Sequence, residues 1–145
     1  LGRNCLGASA EASSALVAAL AACEALEDLY LFNNGLGAEA AAAFAETLPR
    51  CNALRTLRLG DNRLGTNAEA SAALAGALAS CASMEELDLS RNDFGAQAAE
   101  ALAAALPHCS ALRTLFLGGN RLGASAQVVR SAWHAAGKEG TCLFF

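Results

Sequence analysis

Charge is scarce in this sequence: 17% of its residues carry one, against about 25% in ordinary soluble domains. Acids and bases are interleaved and sum to −4, which leaves no basic patch to hold nucleic acid or an anionic lipid surface. Long apolar runs are missing as well. The longest stretch free of polar residues is Ala15–Cys23, far short of the roughly 20 residues that a membrane-spanning helix needs. Hydrophobic residues make up 54% of the chain, a share that alanine inflates. Six cysteines are present, yet none forms a C-x-x-C pair, so the spacing of a zinc site is absent. Without a disulfide framework, those thiols point to a reducing, intracellular compartment, the cytoplasm foremost. Both histidines lack a catalytic setting. His108 adjoins Cys109 in the chain, where neighbouring side chains diverge, and His134 sits in the last helical segment without an evident partner. No catalytic residue, cofactor or metal is assigned.

What the chain has in abundance is repetition. Asn4, Asn34, Asn62, Asn92 and Asn120 follow one another at steps of 30, 28, 30 and 28 residues. The last four each lie near the end of a line of the form L-x-x-L-x-L-x-x-N-x-L-G: Leu26–Gly37, Leu54–Gly65, Met84–Gly95 and Leu112–Gly123. A fixed period of this length is the mark of a solenoid. The alternating step implies a double unit. Residues 5–62 and 63–120 are identical at 16 of the first 30 positions and 17 of the other 28, or 33 of 58.

Each repeat divides its labour. In Leu29-Tyr30-Leu31 the alternation sends both leucines to the core face and Tyr30 to the other. Ala38–Leu48 is rich in alanine, the best helix former, and Phe44 and Leu48 fall on one stripe facing the strands. Pro49 is expected to stop that helix. Strands stack about 4.8 Å apart and helices about 8–10 Å, so the array bends with strands on the inner arc. The asparagine column is expected to satisfy backbone groups of adjacent turns, since its side chain both donates and accepts. Gly7, Gly37, Gly65, Gly95 and Gly123 are expected to turn the chain into each helix. Cys23, Cys51, Cys81 and Cys109 share one repeat position and are expected to be buried thiols that act as small apolar residues.

These residues resemble the leucine-rich repeat family, and the long period narrows the likeness to its ribonuclease-inhibitor-like class. The resemblance implies an α/β fold: a curved right-handed βα superhelix with parallel strands on the concave face and helices on the convex face. Ribonuclease inhibitors, NOD-like receptor repeat domains and Ran GTPase-activating proteins are members of that class. Leu1-Gly2-Arg3-Asn4 aligns with Leu59-Gly60-Asp61-Asn62. The chain therefore opens inside a repeat, and the expectation is one repeat domain over 1–145, truncated at its N-terminus. Residues 124–145 are expected to cap the C-terminal end, where Val128, Val129 and Trp133 replace smaller residues.

Two local motifs have bland readings. Gly35-Leu36-Gly37-Ala38-Glu39-Ala40 matches a dinucleotide fingerprint, but its repeat equivalents lack the first glycine and no acid ends the next strand. Cys142-Leu143-Phe144-Phe145 is compatible with prenylation at Cys142; without a polybasic stretch before it, a final strand closing the array is the expectation.

The outward strand positions carry the functional reading. The central column is Tyr30, Arg58, Asp88, Phe116, flanked by Asp28, Thr56, Glu86, Thr114 on one side and Phe32, Gly60, Ser90, Gly118 on the other. Aromatics beside arginine are what interface centres favour. Tyr30, Phe32, Arg58, Asp88 and Phe116 are therefore the expected partner-binding residues, with Arg58 and Asp88 as a pair. Glu27, Arg55, Glu85 and Arg113 alternate in sign and are expected to fix stacking. The function expected is non-catalytic protein–protein interaction through the concave face. Two other readings stay open: a structural subunit packed through its alanine-rich helices in a larger assembly, and a GTPase regulator in which Arg63 or Arg121 supplies the arginine.

Overall fold

The computed structural model describes residues 4–23, 25–138 and 142–145. Alanine-rich segments form the helices α1 (Ala10–Ala19), α2 (Ala38–Thr47), α3 (Ala68–Ala77), α4 (Ala96–Ala105) and α5 (Ala126–Ala135). Leucine alternations form the strands β1 (Asp28–Tyr30), β2 (Thr56–Arg58), β3 (Glu86–Asp88), β4 (Thr114–Phe116) and β5 (Leu143–Phe144). The strands make one parallel sheet in chain order, and each helix packs against the next. This is a βα solenoid with the sheet on its inner face.

The sheet is in strict register, with Leu29, Leu57, Leu87, Leu115 and Leu143 on one line. The first four of these, and the second row of Leu31, Leu59, Leu89 and Leu117, are buried. From the helices come Phe44, Leu74, Leu102 and Trp133, all buried. Each such side chain is worth roughly 1.5–3 kcal/mol of burial, and stacking neighbours is what makes that burial continuous.

Helices α1 to α4 each run into one short 3-10 turn, at Leu20–Ala22, Leu48–Arg50, Leu78–Ser80 and Leu106–His108. Pro49 and Pro107 sit in two of these turns, but the other two form without proline. The shared closure is a backbone bond: the N–H groups of Cys23, Cys51, Cys81 and Cys109 donate to Leu20, Leu48, Leu78 and Leu106 at 2.9–3.2 Å. Proline suits the turn without being its cause.

The alternation of 28 and 30 has a local origin. From the end of β1 to the start of α2 the chain advances 8 residues (38 − 30), and from β2 to α3 it advances 10 (68 − 58). The extra pair allows a 3-10 turn, Leu64–Thr66, followed by Asn67, whose Oδ1 accepts the Ala70 N–H at 2.9 Å. Ser9 caps α1 in the same way, accepting from Ala12. The short connections have no side-chain cap; Gly37 and Gly95 stand there instead.

The asparagine column works as the sequence implies, and each side chain reaches back one turn. Asn62 Oδ1 accepts the N–H groups of Asn34 and Leu36, both at 3.0 Å, while its Nδ2 donates to the carbonyls of Leu31 and Leu59, both at 2.9 Å. Asn120 does the same for Asn92, Phe94, Leu89 and Leu117. Asn92 is wholly buried and bonds Leu64, Leu59 and Leu89. The residue before each of the last four asparagines is left-handed, with φ of 53° at Asn33, 55° at Asp61, 50° at Arg91 and 73° at Gly119. That twist aims the amide inward.

The glycine column is not uniform, which departs from the expectation of one turning role. Gly37 and Gly95 have ordinary negative φ and no close neighbours in their backbone setting. At Gly65 a Cβ would collide with the carbonyl of Asp93 on the following turn, and Gly65 N–H donates to Asn92 O at 2.7 Å. Close approach, not tight turning, demands glycine there.

The cysteine column is buried at Cys51, Cys81 and Cys109, whereas Cys23, at the N-terminal end of the column, is exposed. The buried thiols do more than fill space. Cys109 Sγ lies 3.4 Å from Leu78 O and 3.3 Å from Ala105 O, and Cys81 Sγ is 3.8 Å from Leu48 O and 3.7 Å from Ala77 O. Burial raises the pKa of all three, and burial together with the thiols of Cys109 and Cys51 pushes Cys81 up to about 12.

Two outcomes follow. Gly65→Ala should lower stability by about 1–3 kcal/mol through overpacking, while Gly95→Ala should change it by less than about 0.5 kcal/mol; denaturant unfolding of both variants decides this. An ordinary thiol ionises near 9, so the unfolded chain gains thiolate first as pH rises. Cys81 thus stabilises the fold fully below pH 9 and loses that contribution on the way to about 12. Alkylation at pH 8 read by mass spectrometry should label Cys5 and Cys23 quickly, and Cys51, Cys81 and Cys109 only on unfolding.

Candidate interaction surface on the inner face

Because the sheet is in register, the outward side chains form straight columns. Tyr30 pairs across the ladder with Arg58, Arg58 with Asp88, Asp88 with Phe116, and Phe116 with Phe144. Tyr30 is 39% exposed and Phe144 46%; Arg58 is also exposed, and Phe32, Asp88 and Phe116 are half-buried. All five residues singled out by sequence thus lie on or beside one sheet face, within about five strand spacings of 4.8 Å.

The internal pairing differs from expectation. Arg58 Nε donates to Glu86 Oε1 at 2.7 Å, in the neighbouring column, and its guanidinium lies 5.4 Å from the centre of the Tyr30 ring. The hydrogen bond to Glu86 raises the pKa of Arg58, against an opposing effect of burial. Asp88 is engaged elsewhere: its Oδ1 accepts from Ser90 N–H at 2.9 Å and from Ser90 Oγ at 2.6 Å. Arg58 and Asp88 are therefore ladder neighbours, but the ion pair belongs to Glu86. The ladder beside them closes over three charges, with Arg55 reaching Glu27 at 3.7 Å and Glu85 at 2.8 Å. Such exposed pairs contribute about 0–1 kcal/mol each. Arg113 joins through its backbone, its N–H donating to Glu85 O at 2.8 Å.

The final strand expected from sequence is present as β5, but Phe144 was not counted among the outward columns. The Phe116 and Phe144 rings stack at 4.7 Å with planes 12° apart, and Arg130 of α5 lies 4.9 Å over the Phe145 ring. A signal was present: Leu143 and Phe144 stand 28 residues after Leu115 and Phe116, the short repeat step. Leu117 N–H donates to Phe144 O at 2.7 Å, so residues of the C-a-a-X motif are engaged in the sheet.

Other candidates are accounted for by packing. Leu36 N–H, in the fingerprint-like Gly35–Ala40 turn, is taken by Asn62 Oδ1 at 3.0 Å and so is not aimed at a phosphate. The Cys109 thiol meets carbonyls on the core side, while His108 is exposed. Trp133 is fully buried, with Lys138 Nζ 5.5 Å from its ring centre. That lysine also donates to the carbonyls of Cys109 and Leu112, both at 2.7 Å. Arg121 is held by Asp93 at 2.9 Å. Among the described residues no helix is long and apolar enough to cross a membrane, and no cluster of acids, histidines and cysteines is arranged to hold a metal.

The helical side offers a different relief. An open cleft of about 720 Å³ runs between α3 and α4, lined by Asn67, Glu69, Ala72, Gln97 and Glu100. A second, of about 390 Å³, runs between α2 and α3 past Glu39, Ala42 and Ala73.

Comparison with known proteins agrees with this architecture. Residues 80–103 match the family described as Leucine Rich repeat. No curated protein matches the sequence. Among solved structures, the tropomodulin C-terminal domain of Caenorhabditis elegans is similar, with a TM-score of 0.72 and 19% identity. The likeness covers 94% of this chain and 82% of that one, and at that identity it speaks to the fold. With the repeated line, the in-register sheet and the asparagine column all in place, the chain folds as a leucine-rich repeat solenoid.

Proposed function

We propose that this protein is a non-catalytic interaction module that holds a protein partner on its concave strand face. The observation that carries the reading is the central column itself. Tyr30, Arg58, Asp88 and Phe116 occupy consecutive ladder positions, and Arg58 is already oriented by Tyr30 and Glu86. A side chain fixed before binding loses less freedom on binding, which favours affinity. Phe32 extends the aromatic end of the surface. The full helix in each repeat and the 28/30 alternation support placement in the ribonuclease-inhibitor-like class. Buried free thiols fit a reducing, cytoplasmic setting. Buried Trp133 and the bonds from Lys138 to the carbonyls of Cys109 and Leu112 support reading residues 124–145 as a capping segment.

A second reading has an observation of its own. The clefts between α2, α3 and α4 are lined largely by alanine and a few acids, a surface suited to packing against other subunits of a larger assembly.

Photo-crosslinking probes placed in turn at Tyr30, Phe116 and Ala42 separate the two. Capture of one protein from Tyr30 and Phe116 but not from Ala42 is the expected result. Capture mainly from Ala42, on the exposed side of α2, would overturn concave recognition in favour of helix packing.

A further inference from the structure

On the inner face Tyr30 carries Arg58, which is anchored by Glu86. The Phe116–Phe144 stack has no cation over it among the described residues, although Phe144 is 46% exposed. Directly beside Phe116 on the ladder stands Asp88. Its Oδ1 is satisfied by Ser90, and the neighbouring Arg58 feels its charge but donates its hydrogen bond to Glu86.

The surroundings of Asp88 keep it approachable. The adjoining column reads Gly60, Ser90, Gly118, so the strands on either side of Ser90 present no side chain there. A Cβ at Gly60 would lie 2.9 Å from Asp88 Oδ2, which shows that the carboxylate leans into the space glycine leaves. Phe144, next to Phe116 on the ladder, is one of the exposed large apolar groups among the described residues.

We infer that Asp88 and the Phe116–Phe144 stack together receive an arginine side chain from a partner segment, with an apolar residue beside it covering Phe144. The inference rests on the concave-face reading and names the chemistry that face selects. The incoming guanidinium repeats on β3–β5 what Arg58 does on β1–β3: it lies over an aromatic ring and donates to a carboxylate. Arginine suits this better than lysine, because its planar head stacks on a ring and bonds a carboxylate at once. Charge complementarity agrees. The three strand columns hold one cation, Arg58, against the three acids Asp28, Glu86 and Asp88, and so carry a net negative charge.

The test is selection of a phage-displayed random dodecapeptide library on the intact chain, with selected peptides then assayed on variants. Expected are peptides enriched in arginine next to an aromatic or aliphatic residue. Their binding should weaken about tenfold or more in Asp88→Asn and in Phe144→Ala, and stay unchanged in Ala42→Glu on the helical side. Arginine-to-lysine replacement in the peptide should weaken binding, and Asp88→Glu should restore part of what Asp88→Asn loses, which a folding defect would not do. Peptides that depend on Tyr30 and Phe116 but carry no arginine and ignore Asp88→Asn would overturn the inference and leave concave recognition standing. Peptides sensitive only to Ala42→Glu, or a library yielding no concave binder, would overturn it along with that reading.

Discussion

The structure depends on the backward reach of one side chain. Asn62, Asn92 and Asn120 each reach back to the turn before their own, accepting N–H bonds and donating to carbonyls that the leucine core would otherwise bury unpaired. A buried polar group left without a partner costs about 1–3 kcal/mol, and Asn62 alone serves two amides and one carbonyl of the preceding turn and one carbonyl of its own. Leucine packing supplies most of the cohesion, but it is non-directional. The asparagines convert a stack of apolar turns into one register. Every straight column on the inner face follows from that.

The left-handed residues and the glycines serve the same end. Asn33, Asp61 and Arg91 accept an unfavourable φ, which costs an ordinary residue about 1–2 kcal/mol, because only that twist points the next side chain into the core. Where the following turn then presses close, Gly7 and Gly65 are the residues that fit. The two extra residues of the long repeat are absorbed entirely between strand and helix, so the sheet does not feel the alternation. The inner face is therefore an evenly spaced lattice of side chains, although the repeats beneath it differ in length.

Most of the fold was legible in sequence, because leucine alternation, alanine-rich helices and a buried asparagine each have one energetically sensible place. What could not be read involved choices between near-equal neighbours. Arg58 had Asp88 and Glu86 within reach on the adjacent strand, and the outcome turned on Ser90, two residues further on, which occupies Asp88 Oδ1. Five glycines at one repeat position looked alike, yet only the approach of the next turn distinguishes Gly65 from Gly95. The stacking of Phe144 on Phe116 needed the terminal segment to rejoin the sheet in register, which a two-residue strand announces weakly. The outward columns were visible from alternation alone; their internal pairing was not.

The most direct test of the central claim is native-state hydrogen exchange at the amides of Asn34, Leu36, Asn92 and Phe94, which donate to the asparagine of the following turn. If the asparagine column locks the register, these amides exchange together with the strand-region amides of Leu31 and Leu59, in one cooperative opening. Fast exchange at those four sites while Leu31 and Leu59 stay protected would contradict it, and would leave leucine packing alone as what aligns the turns.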